Sequence, residues 1–111
     1  KVLWQSMTEC PVVFPKGVGV VEWMIPGGAE IALKTSELMK KYDAVVWAHH
    51  GLFVMGNDFD SAFGLMHTIE KSAEIYVTML STGLPMLQTI PEDKLADVAE
   101  AYGGKLAENL L

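Results

Sequence analysis

The apolar run over residues 44–54, broken only by His49-His50-Gly51, constrains this chain more than any other stretch. Ala44-Val45-Val46-Trp47-Ala48 and Leu52-Phe53-Val54 have the make-up of two short buried strands that meet at a histidine and a glycine. Side chains alternate faces along a strand, so unbroken strand geometry places His50 with Val46 and Ala48, and His49 with Val45 and Trp47. On that reading the two histidines do not bind one ion together: one is a candidate ligand and the other is structural. A histidine in an apolar strand reads first as a packed or hydrogen-bonded core residue. Gly51 beside it shifts the reading toward a site, because glycine lets a backbone or a ligand come close.

The elements around this run follow from punctuation and period. Pro11 biases Cys10 toward extended geometry, which puts Glu9 in a connection or just ahead of a short strand, Val12-Val13-Phe14, closed by Pro15-Lys16-Gly17. Residues 19–25 alternate as a second β-rich run and stop at Pro26-Gly27-Gly28. Residues 29–42 change to a helical period, with Ile31, Leu38 and Tyr42 on one stripe, Glu30 near its start and Lys40-Lys41 near its end. After the paired strands, residues 56–61 offer several helix caps. The longest element is then a helix to about Leu80, with a stripe through Phe59, Ala62 or Phe63, Met66, Ile69, Ala73, Tyr76 or Val77 and Leu80, stopped by residues 81–85. A last helix starts around Pro91-Glu92-Asp93, carries Leu95, Val98, Ala99 and Tyr102, and ends at Gly103-Gly104; Leu106, Leu110 and Leu111 follow as a helical turn or a tail. This order describes an α+β or layered α/β segment with no repeat, no low-complexity tract and no linker that would divide it.

Composition narrows the partners. The chain has 111 residues, 50% of them hydrophobic, and a formal charge of -6 with eight Lys and Arg, so no basic stripe is available for a phosphate backbone and nucleic acid is an unexpected partner. Glu22, Pro26 and Asp43 interrupt every run that might approach a membrane span, so no membrane is expected either. No targeting segment is visible. Cys10 is the single cysteine; it fits a small buried hydrophobe in a reducing compartment, and the cytoplasm is the expected location. The chain opens on Lys1 directly into Val2-Leu3-Trp4, with no initiator methionine, as expected of the interior of a longer polypeptide.

Several stretches carry a family resemblance. Glu9-Cys10-Pro11-Val12-Val13-Phe14-Pro15-Lys16-Gly17-Val18-Gly19, Trp23-Met24-Ile25-Pro26-Gly27, the Trp47 to Phe53 run with its His50-Gly51, and Phe63-Gly64-Leu65 leading to Thr68 and Glu70-Lys71-Ser72-Ala73 resemble, in that order, the rhamnulose-phosphate aldolase branch of the class II aldolase/adducin family. The His-Gly element marks the superfamily, and the proline and glycine punctuation before it points to the branch. The resemblance implies a layered α/β/α fold with a largely antiparallel central sheet, residues 1–111 being the C-terminal portion of a single aldolase domain.

The resemblance also implies a chemistry: zinc-dependent, reversible cleavage of L-rhamnulose 1-phosphate to dihydroxyacetone phosphate and L-lactaldehyde. Breaking that carbon–carbon bond leaves an enediolate, and Zn2+ acting as a Lewis acid offsets its charge. Such enzymes hold the metal with three histidines, two from a His-x-His pair earlier in the polypeptide and one from the His-Gly element. By that match His50 is the third ligand, and His49 stands where another residue type is usual. The pair, the main acid/base glutamate and the phosphate-binding loops belong to a segment outside this chain, so the 111 residues alone are expected to bind zinc poorly and not to catalyse. A second glutamate, lent by a neighbouring subunit of a cyclic homotetramer, matches Glu9; an ordinary loop carboxylate is the alternative reading of that residue.

Three other residue groups complete the inventory. Glu70, at the border of the helical stripe, is a candidate to hydrogen-bond His50 or its loop, or else to cap backbone groups or reach water. His67 matches no ligand position and reads as a surface or structural residue. Met39, Met55, Met66 and Met79 read as core filling. Alternatives to the rhamnulose-phosphate reaction are a related metal-dependent sugar-phosphate aldolase or 4-epimerase on the same scaffold, and a non-catalytic adducin-like interaction module.

Overall fold

In a computed structural model, residues 1–108 are described, and they group into two compact units: residues 16–66, and residues 1–15 with 67–108. Leu110 and Leu111 lie outside the described residues.

Residues 16–66 hold the sheet. The alternating apolar runs become β1 (Gly19–Val21), β2 (Ala44–Trp47) and β3 (Gly51–Val54), in the order β1-β2-β3. β1 runs parallel to the central β2, which a helical crossover, α3 (Ala29–Leu38), makes possible; β3 returns antiparallel with Val45 opposite Phe53 and Trp47 opposite Gly51. The sheet is therefore mixed within an α/β arrangement. α3 lays Ile31, Thr35 and Leu38, four and three residues apart, toward the sheet. Val21, Ile31 and Val45 form the core there, with Met24, Leu38, Met39, Tyr42 and Trp47 packed around it.

Two features fix the edges of this unit. Gly19 has no room for a side chain: a Cβ would sit 2.9 Å from Cδ2 of Tyr42 and 3.4 Å from Cβ of Leu38, so the tyrosine after α3 packs directly on the β1 backbone. Asp58 caps the long helix α4 (Phe59–Ser81), its Oδ1 accepting from the Ser61 backbone N–H at 2.7 Å while Ser61 Oγ accepts from the Asp58 N–H at 3.2 Å. The Ser61 hydroxyl also donates to Asp58 Oδ1 at 2.6 Å, and this bond first, with the Ser61 N–H second, holds the Asp58 carboxyl below its ordinary value of 3.8.

The other unit is helical. α1 (Val2–Ser6) and α2 (Glu9–Val13) open it, where a Val12-Val13-Phe14 strand was expected. Pro11 is tolerated because it falls in the first turn of α2, whose N–H groups have no intrahelical partner to lose. β-branched propensity at Val12 and Val13 is outweighed by burial: Cys10, Pro11 and Phe14 are almost fully enclosed, and α2 packs on α5 (Leu95–Ala101), which follows a single 3-10 turn at Glu92–Lys94. The Trp4 and Phe14 rings meet edge to face at 4.8 Å, and Trp4 Nε1 donates to the Phe14 carbonyl. Backbone bonds from Ile90 N–H to the Gln5 carbonyl and from Ala107 N–H to the Pro15 carbonyl tie the later segments to this pair of helices.

Two expectations shift in phase or length. The residues 22–25 leave the sheet, with Trp23 and Ile25 exposed. α4 has the expected extent, but its buried stripe is Leu65, Ile69 and Ser72, while Phe59, Phe63 and Met66 face solvent. α4 is apolar on more than one face, so periodicity finds the helix without fixing which stripe is enclosed. Met55 is also exposed, so the core-filling reading holds for Met39 and fails for Met55 and Met66.

Candidate functional site

His50 is the last residue of the turn that joins β2 to β3. The strands stop at Trp47 and resume at Gly51, so residues 48–50 are a turn and the strand alternation expected to separate His49 from His50 loses its premise. The turn closes with the His50 N–H donating to the Trp47 carbonyl at 3.0 Å. His49, the third residue of that four-residue turn, has φ 60°, the positive value that a type II turn requires there. His49 is the one non-glycine residue with positive φ among the described residues, and histidine is among the side chains that enter this region more readily than most.

The imidazole of His50 is exposed and lies beside Trp47, ring centres 5.3 Å apart and planes inclined at 34°. His50 therefore keeps company with Trp47, where strand alternation had assigned His49. Trp47 is itself fixed on two sides. Its ring packs on Phe53 at 4.2 Å, and its Nε1–H donates to Thr35 Oγ1 at 2.7 Å. The Thr35 hydroxyl in turn donates to the Ile31 carbonyl one turn back in α3, also at 2.7 Å. Gly51, opposite Trp47, is exposed with open space where a Cβ would be, so none of the described residues exploits the close approach it allows.

The other two predicted site residues fall in the helical unit. Glu9 is the first residue of α2, exposed, an acid where a helix start favours negative charge; it belongs to a helix rather than to a connection. Glu70 is exposed on α4, and His67 is exposed on the same helix. Cys10, next to Glu9, shows the opposite character. It is fully enclosed, and burial pushes its thiol from 9.0 up to about 11, with the Ser72 hydroxyl opposing and the Glu9 charge adding to the shift. A thiol held protonated in this way is a packing group, not a nucleophile or ligand.

Among the described residues no group of three or more His, Cys, Asp or Glu is placed to hold a metal ion. An exposed imidazole on a closed turn fits one position of a zinc site in donor chemistry, and one position is what this chain offers at His50. Sequence reading missed Thr35, Trp47 and the turn conformation of His49. The available signal was a polar Thr35 inside the otherwise apolar stripe of α3, four residues after Ile31.

The class II aldolase and adducin N-terminal domain matches residues 2–77, more than half of the chain. This chain belongs to that family. It is 45% identical over 103 residues to a rhamnulose-1-phosphate aldolase of Listeria monocytogenes, covering 93% of this chain and 37% of that protein. It is 48% identical over 101 residues to the enzyme of the same name from Escherichia fergusonii, covering 91% and 36%. A solved structure described as a sugar-phosphate aldolase from Thermotoga maritima superposes with a TM-score of 0.65 at 40% identity, over 70% of this chain and 34% of the other. The chain thus spans a little over a third of the length of the curated relatives it matches. Among the described residues, no helix is long and apolar enough to cross a membrane.

Proposed function

We propose that this chain forms part of a zinc-dependent L-rhamnulose 1-phosphate aldolase and that His50 is its contribution to the metal site. The observation that carries the reading is the exposed imidazole at the tip of the β2–β3 turn, inside the region matched by the family. The two curated relatives bear the name of that activity. Zinc, when bound, supplies Lewis-acid stabilisation of the negative charge that carbon–carbon cleavage leaves on the ketone-derived fragment. His50 would hold the ion with a neutral nitrogen, and the remaining donors would come from sequence outside these 111 residues, which alone would bind zinc poorly and fail to catalyse.

Glu9 is proposed to act at the aldehyde end of the substrate in a neighbouring protomer of a homotetramer. Its exposure at the start of α2 supports that reading, since the carboxylate is presented outward.

The test is made on the full-length polypeptide. His50→Ala is expected to abolish release of dihydroxyacetone phosphate from L-rhamnulose 1-phosphate, and normal cleavage by that variant would overturn the reading. Glu9→Gln is expected to slow cleavage with zinc content unchanged, and an unchanged turnover would remove Glu9 from the mechanism. L-Fuculose 1-phosphate as a second substrate separates this reading from that of a sibling aldolase, which would prefer it.

A further inference from the structure

A metal ligand on an exposed turn has a physical problem. Its ring samples several rotamers, and ordering it on binding costs side-chain entropy that weakens the site unless something holds the ring beforehand. Ligating histidines are commonly oriented by a carboxylate or carbonyl on the far ring nitrogen. Here the Trp47 indole lies beside the His50 ring, tilted at 34° to it.

We propose that Thr35 and Trp47 are positioning residues for His50, forming a relay that runs from the backbone of α3 through a buried hydroxyl and an indole to the imidazole. The two hydrogen-bonded links are short and directional, and the last is a ring contact. Thr35 Oγ1 donates to the Ile31 carbonyl at 2.7 Å and accepts from Trp47 Nε1–H at 2.7 Å, so the one hydroxyl is used in both senses and the indole is oriented. Phe53, at 4.2 Å from the Trp47 ring, completes the orientation of the indole. The indole then offers its ring to His50 at 5.3 Å, while the Trp47 carbonyl holds the His50 N–H at 3.0 Å. The same residue thereby fixes both the backbone and the ring of the ligand. Trp47 is the last residue of β2, so the rigid sheet and α3 jointly set where the imidazole stands.

The inference rests on His50 being a zinc ligand, and the experiment separates the two. Zinc affinity is measured on the full-length polypeptide by competition with a chromophoric chelator. In parallel, the His50 ring-proton resonances of the metal-free protein are followed, because a neighbouring indole displaces them by its ring current. Thr35→Val and Trp47→Phe are each expected to weaken zinc binding about 10-fold, within the range that loss of an orienting partner usually costs. The double variant is expected to be no weaker than either single one, since both break one relay. Thr35→Ser keeps the hydroxyl and is expected to restore both affinity and the His50 resonances, which a purely volumetric role for Thr35 would not do.

Wild-type zinc affinity and unmoved His50 resonances in Thr35→Val would overturn the relay, and loss of zinc in His50→Ala would leave the ligand assignment standing. Zinc retained by His50→Ala would overturn the ligand assignment and the relay with it.

Discussion

Cys10 and His50 both carry a side chain that can bind a soft or borderline metal, and their surroundings send them in opposite directions. Cys10 sits in the helical unit at 0% exposure, with the Ser72 hydroxyl against its thiol. His50 closes the four-residue turn between β2 and β3 of the sheet unit, exposed, with its ring beside an indole. Burial in the first case stabilises the neutral thiol and removes its reactivity; exposure in the second leaves a nitrogen available while the indole limits its freedom. The comparison teaches that donor type says little until the element beneath it is known.

The largest expected effect breaks the enclosure of the helical unit. Phe14→Ala removes a ring that is 2% exposed and set edge to face against Trp4, and is expected to cost about 3–5 kcal/mol in urea unfolding. A cost below 1 kcal/mol would show that the α1–α2 corner is not a packed core. Cys10 provides a direct measure of the same enclosure. Its raised pKa means about 100-fold less thiolate at a given pH than an ordinary thiol, so iodoacetamide at pH 8 is expected to label it only on unfolding. The folded protein holds the Cys10 proton more tightly than the unfolded chain does. Its contribution is therefore complete below pH 9 and declines as the pH rises from 9 toward 11. Cys10→Ala should flatten that part of the stability profile, and an identical slope in the variant would contradict the assignment.

A smaller effect sharpens the other side of the comparison, the precision of the sheet unit that carries His50. Gly19→Ala drives a methyl group into the Tyr42 ring and is expected to cost about 1–3 kcal/mol, with Tyr42→Ala in the same background recovering part of it. Strict additivity of the two substitutions would show that the ring and the β1 backbone are not in contact.

Different parts of this molecule were legible to different degrees. The strands Ala44–Trp47 and Gly51–Val54 could be read because apolar residues fill them and a His-Gly break divides them, and α4 because Asp58 starts it and a Gly83-Leu84-Pro85 stop follows. α1 and α2 could not, since Val12-Val13-Phe14 has strand propensity and only the packing of α2 on α5 turns it into a helix. The burial phase of α4 was hidden for a related reason: Phe59, Phe63 and Leu65 compete for the inside, and composition does not rank them. At the site, the family resemblance reached His50, but no local rule announces that Trp47 bonds Thr35 twelve residues away or that His49 takes a positive φ. The strand rule failed at this turn because it was carried three residues past the end of the ladder.

The central claim is that the histidine doublet supplies one metal ligand. It is tested by zinc content per protomer in two variants of the full-length polypeptide, His50→Ala and His49→Gly, the second chosen because glycine accepts the φ of 60° that the turn demands. The expected result is near-complete loss of zinc in His50→Ala and about one zinc per protomer retained in His49→Gly. Zinc retained by His50→Ala, or lost from His49→Gly with the fold intact, would contradict it.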